Sequence, residues 1–266
     1  MVGLELKPIG YCRNERRHPY DQPRQGPQSS AESLIELLPN NNFEQALTGL
    51  SNFERIWIIF QFHQNKNWKP MVTPPRSKSG KMGVFATRSP HRPNPLGLSC
   101  VRLLSVHGLC LKVSECDLLD GTPVFDIKPY IPYADAFPQA KAGWTENLDA
   151  EKLELIISPQ AESSLRWLES HGLSALRDFL ESQLCWDPTN TNKKRVTMTS
   201  TSWSIAYRTW RILFTIKNKT VNILEIRSGY SPEELDSPLD PWGDKSLHRA
   251  FSELIKHESK DNPLRD

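Results

Sequence analysis

The chain has 266 residues, enough for one large domain or a main domain with a smaller companion, and 38% hydrophobic with 24% charged residues is the composition of an ordinary soluble protein. A formal net charge of +2 argues against a dedicated duplex-DNA coat protein, while a local basic surface suited to folded RNA stays compatible with near neutrality. Met1 to Gly10 lacks the charged start and apolar run of a signal peptide, and no segment has the apolar length of a membrane span, so a cytoplasmic location is expected.

Up to about Gly143 the chain reads as short strands broken by proline and glycine, without long helical periodicity. Arg55 to Phe62 is a near-continuous apolar run, rich in β-branched and aromatic residues, of the length of a strand buried on both faces. Ser99 to Val106 and Thr122 to Ile131 are further strands. Between them Leu109, Leu111 and Val113 alternate with Cys110, Lys112 and Ser114, as in a half-buried strand. Many short strands with turn signals predict a closed or nearly closed β-barrel, assigned to residues 1–143.

From Leu153 the pattern changes to a small α+β unit, assigned to residues 144–228. Leu153 to Ile157 is a strand; Ser158 and Pro159 then start a helix as N-cap and first-turn proline, and Gly172 closes it. Leu176, Phe179, Leu180, Gln183 and Leu184 follow amphipathic helical spacing, with Ser174 as the expected cap. Trp186 to Ser202, polar and carrying Lys193, Lys194 and Arg195, is expected to be a mobile loop, one that could touch RNA phosphate but fits better as a solvated loop that touches nothing. Trp210 to Ile216 and Asn222 to Ile226 alternate around a turn at Lys217 to Thr220. Residues 229–266 form a proline-punctuated tail ending in a helix from Asp244, whose stripe of Leu247, Phe251, Leu254 and Ile255 is expected to dock on the body or on a second subunit.

Cys12, Cys100, Cys110, Cys116 and Cys185 are odd in number and contain no Cys-x-x-Cys, and the seven histidines form no ligand pair. Buried thiols and no metal are expected.

Four segments carry chemistry. The first is Gly83 to Ser99, in which Pro90, Pro93 and Pro95 nearly exclude a helix and leave a stiff turn presenting Arg88, His91, Arg92 and Asn94. Such guanidinium groups grip carboxylate or phosphate in bidentate fashion. The others are Pro23-Arg24-Gln25-Gly26-Pro27, His63-Gln64 at the end of an apolar strand, and Asp117 to Asp135, which contains Asp120-Gly121-Thr122-Pro123 and Asp126-Ile127-Lys128-Pro129-Tyr130. Taken singly, each also fits a structural role: a rim histidine, a surface charge, a strand connection.

In this order the four segments resemble the TsaA-like (YaeB, VirR) family, whose bacterial members are the tRNA methyltransferases called TrmO. The resemblance is strong over about residues 4 to 135 and weaker to about Ile226. It implies a β-barrel rather than a Rossmann sheet, in keeping with the absence of Gly-x-Gly-x-x-Gly. It implies methyl transfer from S-adenosylmethionine to N6 of threonylcarbamoyladenosine in tRNA, next to the anticodon, by a homodimer. The cofactor site it implies is Pro23, Arg24, Gln25, His63, Gln64, Arg88, Leu98, Asp120, Gly121, Thr122 and Pro123. Asp126 and Tyr130 are the hydrogen-bond acceptors to test as catalytic groups, and Arg92 the residue for the substrate carboxylate. In place of the family's Asp-Pro-Arg-Pro-Ala-Tyr-like stretch this chain has Trp186-Asp187-Pro188-Thr189-Asn190-Thr191-Asn192. That departure keeps open a non-catalytic nucleotide- or RNA-binding barrel, or a methyltransferase with another carbamoylated or acylated amine as acceptor.

Overall fold

The computed structural model of the chain describes residues 5–18, 32–74, 80–146, 152–191 and 194–260, with side chains to 256. It divides into two compact units, residues 1–152 and 153–266.

The first unit is built on a closed six-stranded barrel. Its strands are β1 (Gly10–Arg13), β2 (Ser33–Leu37), β3 (Arg55–Gln61), β6 (Leu96–His107), β7 (Cys110–Ser114) and β8 (Pro123–Pro129), in the order β1-β2-β7-β6-β3-β8 with β8 returning to β1. The pair β4 (Met71–Val72) and β5 (Met82–Gly83) forms a separate small sheet. Short helical turns punctuate the strands, among them α1 (Phe43–Ala46) and α2 (Pro132–Asp135). Along β3 burial alternates, with Ile56, Ile58 and Phe60 in the core and Arg55, Trp57, Ile59 and Gln61 less buried, so this strand has a wetter outer face. Phe60 fits because its partner across the ladder is Gly97; a methyl group there would lie 2.2 Å from the Phe60 ring. A bulge in β8 leaves Val124 opposite Phe60 and Asp126 opposite Ile59. Leu98 is opposite Ile59 on the other side, so Asp126, Ile59 and Leu98 form one outward row.

The second unit packs helices on one face of a five-stranded sheet. The strands are β9 (Glu154–Ile157), β10 (Val196–Met198), β11 (Trp203–Tyr207), β12 (Trp210–Lys217) and β13 (Thr220–Ser228), in the order β10-β11-β12-β13-β9. The β12–β13 turn has Asn218 and Lys219 both at positive φ, 50° and 66°, which matches the right-handed twist of a two-residue hairpin. The core joins Leu165 and Leu168 of α3 (Pro159–Ser170), Phe179 and Leu180 of α4 (Leu176–Leu184), and Tyr207, Trp210, Ile212 and Phe214 of the sheet. Ser158 caps α3 by accepting the Ala161 N–H at 3.1 Å, and Gly172 follows that helix at φ 96°. After the short α5 (Pro232–Asp236), α6 (Lys245–Lys260) buries Phe251 in this core and packs Leu247, Leu254 and Ile255 against it, so the apolar stripe docks on its own unit.

Three expectations are corrected. Ala175, not Ser174, stands at the N-cap of α4, and no side chain caps that end. Within Trp186 to Ser202, residues Val196–Met198 form β10 on the edge of the sheet, because Val196 supplies an inward apolar contact opposite Ile205. Cys12, Cys116 and Cys185 are buried thiols, but Cys110 occupies an outward position of β7 and is exposed. Among the described residues no helix is long and apolar enough to cross a membrane.

Candidate active site

Four stretches of the first unit are hydrogen-bonded together around the connections that end β1, β3 and β7. Asp120 anchors the β7–β8 connection: its N–H donates to the Arg16 carbonyl at 2.7 Å, and its Oδ1 accepts the Asn14 N–H at 3.1 Å. Gly121 donates to the Cys12 carbonyl at 2.8 Å, and Cys12 donates back to Thr122 at 2.9 Å. Gly121 has φ 72°, and a side chain there would meet nothing within 4 Å, so open space faces this turn.

The Thr122 hydroxyl lies 3.3 Å from Nδ1 of His63, just beyond the end of β3. Burial lowers the His63 pKa below the ordinary histidine value, against the opposing pull of the Asp120 charge and a hydrogen bond with the Gln61 main chain. The imidazole is therefore neutral near pH 7. Gln64 donates to the Arg17 carbonyl at 3.0 Å, tying the same strand end to the segment after β1.

The proline-rich turn is held to this cluster through main-chain atoms. Phe62 donates to the Pro95 carbonyl at 2.8 Å, and Asn65 Nδ2 donates to the Pro90 carbonyl at 2.8 Å. Arg92 Nη1 donates to the carbonyls of Val84 at 3.2 Å and Thr87 at 2.9 Å, with the Phe85 ring 5.7 Å from its guanidinium carbon. Arg88, by contrast, is exposed and makes no hydrogen bond or ion pair among the described residues, although its charge is felt at Asp117. Burial raises the Asp117 pKa; the hydrogen bond from Ser99 and the charges of Arg16 and Arg88 oppose it.

His63, Gln64, Asp120, Gly121, Thr122 and Pro123 thus share one cluster, with the Arg88 turn attached, while Pro23, Arg24 and Gln25 lie outside the described residues. Leu98 is on the outer face of the barrel, 54% exposed, in the row with Asp126. Asp126 Oδ2 pairs with Lys128 at 2.8 Å and its Oδ1 accepts the Ile127 N–H at 2.9 Å. The Tyr130 ring is 5.7 Å from that of Trp57. Among the described residues no group of three or more His, Cys, Asp or Glu could hold a metal ion.

Sequence reasoning passed over Asn14 and Arg16. Asn14 Nδ2 reaches the Leu118 carbonyl at 3.0 Å and Ser33 Oγ at 3.1 Å, and Arg16, 1% exposed, donates to Ser33 Oγ at 2.9 Å. The signal available was an asparagine and an arginine two apart just after a strand, which is common on any surface.

The family model for the N-terminal domain of tRNA-methyltransferase O matches residues 11–136. An Escherichia coli protein named tRNA (adenine(37)-N6)-methyltransferase is 38% identical over 196 residues, 71% of this chain and 83% of the relative. RcsF of Pseudomonas aeruginosa, a candidate S-adenosylmethionine-dependent methyltransferase, is 43% identical over 173 residues, 63% of this chain and 70% of the relative. The crystal structure of TrmO from Pseudomonas aeruginosa superposes with a TM-score of 0.62 at 30% identity, covering 85% of this chain and 99% of that one. The fold and the matched segments are those of a barrel methyltransferase domain with an α+β companion. The chain belongs to the tRNA-methyltransferase O family.

Proposed function

We propose that this protein transfers a methyl group from S-adenosylmethionine to N6 of threonylcarbamoyladenosine at position 37 of tRNA. Methyl transfer from S-adenosylmethionine to a tRNA adenine is the chemistry named for the family's members; the threonylcarbamoyl acceptor is our own reading. The observation that carries it is the gathering of His63, Gln64, Asp120 to Pro123 and the Arg88 turn at the connections ending β1, β3 and β7.

These residues fit the cofactor. S-adenosylmethionine supplies an electrophilic methyl group and carries an α-carboxylate, an α-amine and ribose hydroxyls. Arg88 has a guanidinium with no described partner for the carboxylate, and Asp120 offers acceptor oxygens for hydroxyl or amine. Gly121 lets a ligand approach the main chain closely, and the exposed Leu98 gives apolar contact. In our reading Pro23, Arg24 and Gln25 complete this pocket.

The acceptor nitrogen is acylated, a weak nucleophile with a more acidic N–H. Positioning then supplies most of the acceleration, on the order of several kcal/mol. Asp126, in one row with Leu98 and paired with Lys128, accepts the N6 proton in this scheme as the methyl group leaves the sulfonium, and Tyr130 is the second candidate acceptor. Arg92 holds the threonyl carboxylate through nitrogens other than the Nη1 already committed to Val84 and Thr87. A homodimer belongs to the same reading: the first unit exposes Phe85, Tyr133 and Phe137, apolar area that a second copy would cover.

The test is to incubate the purified chain with S-adenosylmethionine and tRNA bearing threonylcarbamoyladenosine, digest to nucleosides and look for the N6-methylated product by mass spectrometry. Absence of that product with the modified tRNA sinks the assignment. Light scattering checks the dimer.

A further inference from the structure

The outer face of the second unit's sheet carries a line of arginines that the methyl-transfer site does not use. Register places Arg195, immediately before β10, beside Ala206 of β11, Ala206 opposite Arg211 of β12, and Arg211 opposite Arg227 of β13. Neighbouring strands lie about 4.8 Å apart, so Arg195 and Arg211 flank the small Ala206 at about 10 Å. Residues in this row point away from the core, where the adjacent row of Val196, Ile205, Ile212 and Ile226 is buried. Between the two arginines is an open groove of about 230 Å³, whose lining also includes Thr197 and Ser204. These two stand opposite each other in the next outward row and put hydroxyl groups beside the cations.

Arg211 is held in place. Its Nη1 donates to the Trp210 carbonyl at 2.9 Å and to that of Arg208 at 3.5 Å, and its guanidinium lies against Gly229, where a methyl group would come within 2.8 Å of Cζ and Nη1. A cation fixed by its own main chain loses little entropy when an anion arrives. Arg195 and Arg211 are the pair that lines the groove.

We propose that this groove binds the phosphate backbone of the tRNA substrate, Arg195 and Arg211 contacting phosphate and Thr197 and Ser204 donating hydrogen bonds to it. The proposal rests on the reading of the protein as a tRNA methyltransferase. Two guanidinium groups and two hydroxyls match a phosphodiester and carry no sequence information. The contact therefore strengthens binding of any tRNA alike.

The test measures the affinity of the full-length protein for an unmodified tRNA transcript by fluorescence anisotropy across a series of salt concentrations. Arg195→Gln combined with Arg211→Gln is expected to raise Kd about tenfold and to shrink the salt slope by about two, one for each lost phosphate contact. The corresponding lysine variants retain most of the slope. Thr197→Glu, at an exposed position of the edge strand, puts a negative charge in the groove; it is expected to weaken binding too and serves if the double variant does not fold. Unchanged Kd and slope in a folded double variant, or in Thr197→Glu, overturns the groove. Methylation of threonylcarbamoylated tRNA by the wild type is scored separately: turnover with unaffected variant affinities sinks the groove alone, and salt-dependent loss without any turnover sinks the enzymatic reading alone. A wild type that binds no tRNA overturns both.

Discussion

The hydroxyl of Thr122 and Nδ1 of His63 meet at 3.3 Å, joining the β7–β8 connection to the end of β3. Thr122 is 2% exposed, so replacing it by valine keeps the volume while removing the partner of a half-buried imidazole. Loss of one neutral hydrogen bond costs about 1 kcal/mol, and Thr122→Val is expected to weaken S-adenosylmethionine binding about fivefold in a calorimetric titration. An affinity equal to that of the wild type would detach this pair from the cofactor.

Arg88 and Arg92 sit four residues apart and should respond differently. Arg88→Ala removes an exposed guanidinium without a described partner, so cofactor affinity should fall at least tenfold with the melting temperature unchanged. Arg92→Ala removes one donor from each of the carbonyls of Val84 and Thr87 and should lower the melting temperature by several degrees, for a cost of about 1–2 kcal/mol. Calorimetry and thermal melts on both variants check the contrast.

Asp120 has a structural bond and a free-energy role that two substitutions separate. Asp120→Asn keeps an acceptor for the Asn14 N–H and loses only the charge, whereas Asp120→Ala loses both. Cofactor affinity should drop in each; stability to urea should drop by about 1 kcal/mol or more only in the alanine variant.

Gly97→Ala tests the barrel itself. The added methyl would sit 2.2 Å from a Phe60 ring that is 3% exposed and packed edge-on against Phe62 at 5.1 Å, so the ring has nowhere to turn. Overpacking of this kind costs about 1–3 kcal/mol, readable as a shift in the urea midpoint. A variant as stable as the wild type would mean that β3 and β6 slide to accommodate it.

His248 gives the second unit a pH dependence. It is fully buried, stacked on Trp210 at 3.8 Å, and bonded through Nε2 to Thr209 at 2.9 Å and through Nδ1 to Ser228 at 2.8 Å. Burial lowers its pKa to about 4, against the pull of Asp244. The unfolded chain takes up this proton near pH 6.5 and the folded chain only near 4. The stability contributed by the neutral ring is therefore complete above about pH 6.5 and is lost as the pH falls toward 4, an effect on the order of 2–3 kcal/mol. Urea denaturation at pH 7 and pH 5 should show that loss, and His248→Gln should reduce the difference between the two.

Much of this architecture is written locally. The alternation in Leu109 to Ser114, the apolar run from Arg55 and the Ser158-Pro159 start depend on neighbours in sequence, and the corresponding strands and helix form there. β1 and β2 escaped because four- and five-residue strands are stabilised by partners far along the chain, Val113 and Val124 among them. β10 was hidden by its polar surroundings, since Val196 alone faces inward. At the candidate site the stiff turn and the Asp-Gly pair were visible as local chemistry. Asn14 and Arg16 were not, because their importance comes from Leu118 and Asp120, about a hundred residues away, and from Ser33 on the next strand, which no spacing rule encodes.

Two adjacent basic residues carry opposite tolerances. The ammonium of Lys194 donates to the carbonyls of Gln183, Trp186 and Asp187, gathering acceptors from the end of α4 and the chain that follows it. Its three protons on one small nitrogen suit that tripod, and a planar guanidinium cannot copy it. Arginine at position 194 would unlatch the approach to β10, whereas lysine at 195 keeps its charge in place. Acylation of the Lys194 amine would remove the same tripod, so a chemical mark on one side chain would loosen the chain that leads into the edge strand.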